Sequence, residues 1–180
     1  MTIPYKMIAL DLDGTLTNHD KVVTPLTRAA LLKAQENGAA IVLASGRPTY
    51  GIEPVADCLE LDRRGGFILS YNGGKIVDWQ SREELYSKSL PQDVIPVLHS
   101  YARAHGYALL GYVGNEIVTE SPFDKYVAEE SRINKMAVRH VDNLPASLEP
   151  HPTKLLMTGD PARMIEAEEE LSRLVGNRMD

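Results

Sequence analysis

Met7-Ile8-Ala9-Leu10-Asp11-Leu12-Asp13-Gly14-Thr15-Leu16-Thr17 is the stretch on which the reading of this chain turns. Four apolar residues run into two carboxylates one residue apart, and a glycine follows at once. A run without polar alternation predicts a strand buried on both faces, as inside a parallel sheet. The polar break then falls at the strand's carboxyl end, where open α/β sheets place their chemistry. In a locally extended chain Asp11 and Asp13 share a face. Two anions so placed repel unless a cation or hydrogen-bond donors compensate them. Gly14 lets the backbone leave in a conformation that larger residues resist. Taken alone, Asp11 to Gly14 reads equally as an Asx turn or as a functional site. An EF-hand loop is excluded, because it needs Gly at its sixth position and Glu at its twelfth. Here Gly is fourth and the twelfth residue is Val22.

The next elements follow the same plan. Thr24-Pro25 opens a helix with Thr as N-cap and Pro at its first position. Leu26, Ala30, Leu31 and Ala34 form its apolar stripe, and Gly38 supplies the stop. Residues 39–44 predict a second buried strand, ending in Ser45-Gly46-Arg47-Pro48. A weaker helix over 50–61 is interrupted by Pro54, and a third strand over 67–71 closes in Asn72-Gly73-Gly74. Strands alternating with helices predict right-handed βαβ units in a parallel sheet. Ser45 offers a hydroxyl, Gly46 lets backbone approach an anion, and the N–H groups of Leu12 and Asp13 can serve the same anion. Ser-Gly and Asn-Gly-Gly alone are also ordinary loop punctuation.

From Lys75 the texture becomes α+β. Residues 75–79 and 84–89 alternate polar and apolar, as half-exposed antiparallel strands do. A helix carries Val94, Val97, Leu98 and Tyr101 up to Gly106, starting late or kinking at Pro96. A hairpin over 107–119 turns at Val113-Gly114-Asn115. A helix over 122–133 follows, then strands over 136–141 and 154–158. Asp160-Pro161 begins a last helix with Met164, Ala167, Leu171, Leu174 and Val175 on one face.

Composition narrows the function classes. The chain has 180 residues, 43% hydrophobic and 24% charged, enough for one domain or two small ones. A net charge of −6 argues against a nucleic-acid surface, which asks for clustered Lys and Arg. The single Cys58 permits no intrachain disulfide and suits a reducing cytoplasm. No apolar run is long enough to span a bilayer, so no membrane partner is expected. The five histidines show no metal-ligand spacing.

Asp-x-Asp-Gly-Thr-Leu directly after an apolar first strand resembles the first motif of the haloacid dehalogenase superfamily. At average residue usage, Asp-x-Asp-Gly-Thr arises by chance in about one chain of this size in several hundred, so the match carries weight. Ser45, at the end of the next strand, matches the second motif. Leu-Ala-Ser-Gly-Arg-Pro and Tyr-Asn-Gly-Gly look like the Cof-type branch, phosphatases with a C2 cap. The resemblance implies a Rossmann-like parallel core over 1–76, incomplete in this chain, and an α+β cap over 77–180. It implies a magnesium-dependent phosphohydrolase of small phosphorylated metabolites such as sugar phosphates, working through an aspartyl-phosphate. Asp11 is then the nucleophile and Asp13 the general acid and base. Mg2+ is held by the Asp11 carboxylate and the Asp13 carbonyl. Leu12, Asp13, Ser45, Gly46 and Arg47 hold the phosphate, and Asn72 shapes the rim.

The third motif, a lysine, and the fourth, an acidic Gly-Asp pattern, are expected after the cap, where this sequence stops. The chain is therefore expected to be truncated, with its first strand at a sheet edge and negligible activity by itself. One alternative makes Asp160 the fourth-motif acid, with Lys135 or Lys154 as the third-motif lysine. Asp160 also reads as a helix N-cap, and Met164 and Ile165 stand where a second acid belongs. The competing class is a non-catalytic phosphate-binding remnant. A receiver domain is disfavoured because the third strand ends in Tyr71-Asn72 without an acceptor Asp.

Overall fold

Met7–Asp11 forms strand β1 and lies parallel to β2, Ala40–Ala44, with Met7 opposite Ala40 and Asp11 opposite Ala44. These elements come from a computed structural model that describes residues 5–179. β3, Phe67–Ser70, continues the parallel sheet on the other side of β2. Between β1 and β2 runs α1, Pro25–Glu36, whose N-cap Thr24 accepts the Thr27 N–H at 3.3 Å. Between β2 and β3 run α2, Thr49–Cys58, and the short α3, Leu61–Arg64, separated by Glu60 at φ 57°. Pro54 sits inside α2 without ending it.

β4, Lys75–Asp78, and β5, Glu84–Ser87, are antiparallel as their alternation predicts, but they extend this same sheet in the order β1-β2-β3-β4-β5. The boundary expected between residues 76 and 77 therefore cuts through β4. The chain instead divides into two compact units between Lys88 and Ser89. Alternation reports a half-exposed strand; it does not say which sheet the strand joins.

The first unit's core gathers Leu12, Ile41, Leu43, Ile52, Leu59, Leu61, Ile68 and Trp79. β2 is buried as expected, but β1 is not buried on both faces: Met7, Ala9 and Asp11 are exposed and Ile8 and Leu10 half-buried. The reason is position, since β1 is the edge strand and pairs only with β2 among the described residues. Leu26 of α1 is 82% exposed, and only Leu31 of the predicted stripe is buried.

The second unit is a four-stranded sheet in the order β8-β7-β6-β9. β6, Ala108–Val113, and β7, Glu116–Thr119, make the predicted hairpin. β8, Ala137–His140, lies parallel to β7, and β9, Leu155–Thr158, antiparallel to β6. α4, Ile95–His105, carries Pro96 in its first turn and ends at Gly106 in the left-handed conformation. With α6, Leu144–Ser147, and α7, Pro161–Val175, it packs onto Leu109 and Val118. α5, Lys125–Asn134, is tied to the sheet by the Tyr112 hydroxyl, which donates to Glu130 at 2.6 Å. α6 has no counterpart in the sequence reading, because one four-residue turn carries no periodicity.

Candidate active site

The chain leaves β1 by wrapping around one carbonyl. The Leu12 oxygen accepts the N–H groups of Leu16 at 3.1 Å and Thr17 at 2.9 Å, and the buried Thr17 hydroxyl at 2.8 Å. Gly14, at φ 82°, makes this return possible. The alternation of an extended chain is kept: the Leu12 side chain is buried while Asp11 and Asp13 both face solvent. The two carboxylates differ in their surroundings. Among the described residues none hydrogen-bonds or ion-pairs with the Asp11 carboxylate.

Asp13 is held from two sides. Arg47 donates from Nε to Oδ2 at 2.8 Å and from Nη2 to Oδ1 at 2.6 Å, a bidentate pair. Lys21 adds its ammonium to Oδ1 at 2.7 Å. The hydrogen bond from Arg47 is the largest influence on the Asp13 carboxyl. Burial opposes it and Lys21 reinforces it, leaving the carboxyl well below the usual range, at about 2.

Residues 45–47 form the opposite wall. Ser45 donates its N–H to Leu69 at 2.9 Å, continuing the β2–β3 pairing, and its hydroxyl accepts the Arg47 N–H at 3.2 Å. The end of β3 closes onto this loop: Tyr71 N–H donates to the Arg47 carbonyl at 2.9 Å and Asn72 N–H to the Ser45 carbonyl at 3.2 Å. Both residues need left-handed backbone, φ 53° and 59°, to turn back so sharply. A Cβ on Gly46 would lie 3.0 Å from the Asn72 side-chain oxygen, a tight approach that glycine leaves open.

The structure therefore brings Asp13, Ser45, Gly46, Arg47 and Asn72 together at the carboxyl ends of β1, β2 and β3. Arg47 was expected to hold the phosphate. Its side chain is 8% exposed, and its guanidinium serves Asp13 and the Gly51 carbonyl, the latter at 3.1 Å. Lys21 was missed by the sequence reading. The available signal was Asn18, which begins an Asx turn and so makes residues 18–22 a tight loop instead of a free connection. Lys135 and Lys154 both lie in the second unit, Lys135 as the C-cap of α5 and Lys154 half-buried before β9. Asp160 is the N-cap of α7 and accepts the Ala162 N–H at 3.0 Å. Among the described residues no three His, Cys, Asp or Glu side chains converge on a common metal position.

An α/β unit with this acid pair at the end of β1, followed by an α+β unit, is the arrangement of a Rossmann-like core with a cap. Residues 8–180 match the haloacid dehalogenase-like hydrolases, and the chain belongs to that family. It is 31% identical over 120 residues to the 5-amino-6-(5-phospho-D-ribitylamino)uracil phosphatase YwtE of Bacillus subtilis, covering 66% of this chain and 39% of that protein. It is 31% identical over 117 residues to the pyridoxal phosphate phosphatase YbhA of Escherichia coli, covering 65% and 42%. A crystal structure of a haloacid dehalogenase-like hydrolase from Bacteroides thetaiotaomicron superposes with a TM-score of 0.92 at 45% identity. That match covers 98% of this chain and 66% of the other. The chain spans about half the length of the curated relatives from Streptococcus pyogenes and Bacillus subtilis that it matches, 50% and 54%.

Proposed function

We propose that this chain carries the nucleophile and the acid–base group of a phosphohydrolase acting on small phosphorylated metabolites. The carrying observation is the contrast between two neighbouring carboxylates: Asp11 exposed and unpaired among the described residues, Asp13 clamped by Arg47 and Lys21. Asp11 attacks phosphorus in line as the bond to the leaving alcohol breaks, forming an aspartyl-phosphate. Asp13, ionised at rest, takes up a proton from solvent as the substrate's negative charge arrives beside it and gives that proton to the leaving oxygen. It then takes one from the water that attacks the aspartyl-phosphate, which releases inorganic phosphate and regenerates Asp11. The backbone N–H groups of Leu12 and Asp13, with Ser45 and Gly46, hold the phosphoryl oxygens. Arg47 works through Asp13 by orienting its carboxylate, and Asn72 shapes the rim through its packing on Gly46. Two relatives are named for phosphomonoesters of small molecules, which supports that substrate class.

Magnesium fits the donors at this site. The Asp11 carboxylate and Asp13 carbonyl offer oxygen only, and Mg2+ binds through one or two carboxylates with waters and substrate phosphate completing its octahedron. When bound it neutralises charge on the transferring group. A reducing cytoplasm suits the single free Cys58, and among the described residues no helix is long and apolar enough to cross a membrane.

The test is phosphate release from generic phosphomonoesters by the protein containing this chain. Asp11→Asn should reduce the rate by at least about a thousandfold with the fold intact, as expected for a removed nucleophile. Asp13→Asn should slow both proton transfers, by about a hundredfold or more. Phosphate trapped on a residue other than Asp11, or turnover that survives exhaustive chelation, would overturn the reading.

A further inference from the structure

Lys21 is held where it stands by its own loop. Asn18 Oδ1 accepts the N–H groups of Asp20 at 3.0 Å and Val22 at 3.1 Å. Asn18 N–H donates to the Val22 carbonyl and Lys21 N–H to the Asn18 carbonyl, both at 3.0 Å. This ring fixes Lys21 at φ 61°, a left-handed conformation uncommon for lysine and retained only when surrounding bonds impose it. The consequence is that its ammonium reaches Asp13 Oδ1, the oxygen that Arg47 Nη2 already serves.

The two cations are not equivalent. Arg47 is 8% exposed, bidentate on Asp13 and tied to Gly51 as well. Lys21 is 27% exposed, and its ammonium meets Asp13 through one oxygen. One guanidinium balances one carboxylate, so Lys21 brings Asp13 a positive charge beyond the first. With Asp11 counted, the two carboxylates and two cations leave the cluster neutral. A phosphomonoester entering it adds further negative charge beside Asp11. In-line transfer spreads charge over three equatorial oxygens, and a cation able to turn toward them stabilises both arrival and transfer. A lysine ammonium suits this, being a point charge with three donors on a flexible four-carbon stem.

Resting on the phosphohydrolase reading, we infer that Lys21 is a catalytic residue of this site, exchanging Asp13 Oδ1 for a phosphoryl oxygen when phosphate binds. Arg47 stays on Asp13 throughout, so the exchange moves one cation without leaving the carboxylate bare. Residues 18–22 act as the fixed base from which the lysine stem swings.

Inorganic phosphate is the probe, with binding read by calorimetry and by the 15Nζ resonance of Lys21. Phosphate should shift that resonance in the wild-type protein. Lys21→Met should weaken phosphate binding and lower kcat/KM for a generic phosphomonoester by about tenfold or more each. Lys21→Asn, whose residue tolerates the left-handed backbone, should do the same, and Lys21→Arg should recover most of both losses. A merely structural lysine would change the melting temperature and leave phosphate affinity alone. If both neutral variants bind phosphate as the wild type does, Lys21 has no such role, even where Asp11→Asn abolishes turnover. If Asp11→Asn leaves phosphate release intact, the phosphohydrolase reading itself falls. Absence of phosphate binding by the wild-type protein overturns both.

Discussion

Replacing Arg47 with Met removes the guanidinium that clamps Asp13 while keeping most of the stem's bulk. The Asp13 carboxyl, ordinarily near 3.8, lies at about 2 in the folded protein, with the Arg47 hydrogen bond as the first cause. That difference converts to about 2.4 kcal/mol of pH-linked stability. The Asp13 side chain is 36% exposed, and solvent screening reduces the figure to about 1 kcal/mol. Arg47→Met also forfeits the buried bond from Nη1 to the Gly51 carbonyl, worth about 1 kcal/mol at any pH. The variant should therefore lose about 2 kcal/mol near neutral pH. A carboxyl whose folded value is depressed contributes stability that is fully present above its unfolded value, near 3.8, and lost as the pH falls toward about 2. The deficit should accordingly shrink to about 1 kcal/mol at that acid end. Urea unfolding at both pH values measures this, with divalent cations absent. The 13C resonance of the Asp13 carboxyl supplies a direct check: its midpoint should move back toward the ordinary value in Arg47→Met, and less far in Lys21→Met. A deficit that is equal at both pH values, or an Asp13 titration unmoved by Arg47→Met, refutes the clamp.

Two further outcomes follow from backbone geometry. At Gly66, φ 152°, an added Cβ would stand 2.8 Å from the Ile41 carbonyl oxygen and 3.0 Å from Leu61. Gly66→Ala should cost about 2–4 kcal/mol in denaturant unfolding, since backbone of a central strand cannot move aside; a loss below about 1 kcal/mol would mean that β2 yields. Asp160→Ala should cost about 1 kcal/mol through the lost cap of α7, whereas Asp160→Asn keeps both cap and turnover. Phosphate release abolished by Asp160→Asn at unchanged stability would make Asp160 a metal acid.

The apolar runs of β1 and β2, the stop at Gly38, the Thr24 and Asp160 caps and the 113–115 turn are local chemistry, and each was legible in the residues that carry it. So was the acid pair, because the spacing of Asp11 and Asp13 is itself the signal and the bonds around the Leu12 carbonyl preserve it. Tertiary structure alone decided which neighbours each element meets. An apolar run by itself reads the same at the centre or the edge of a sheet; the family resemblance put β1 at an edge, and the strand order exposes Met7 there. β4 and β5 could be read as antiparallel but not as an extension of the β1–β3 sheet, because pairing partners are chosen by non-local hydrogen bonds. Arg47 and Lys21 lie 34 and 8 residues from Asp13 in sequence. An ion pair depends on where two charges arrive in space, and the chain says only that the charges exist.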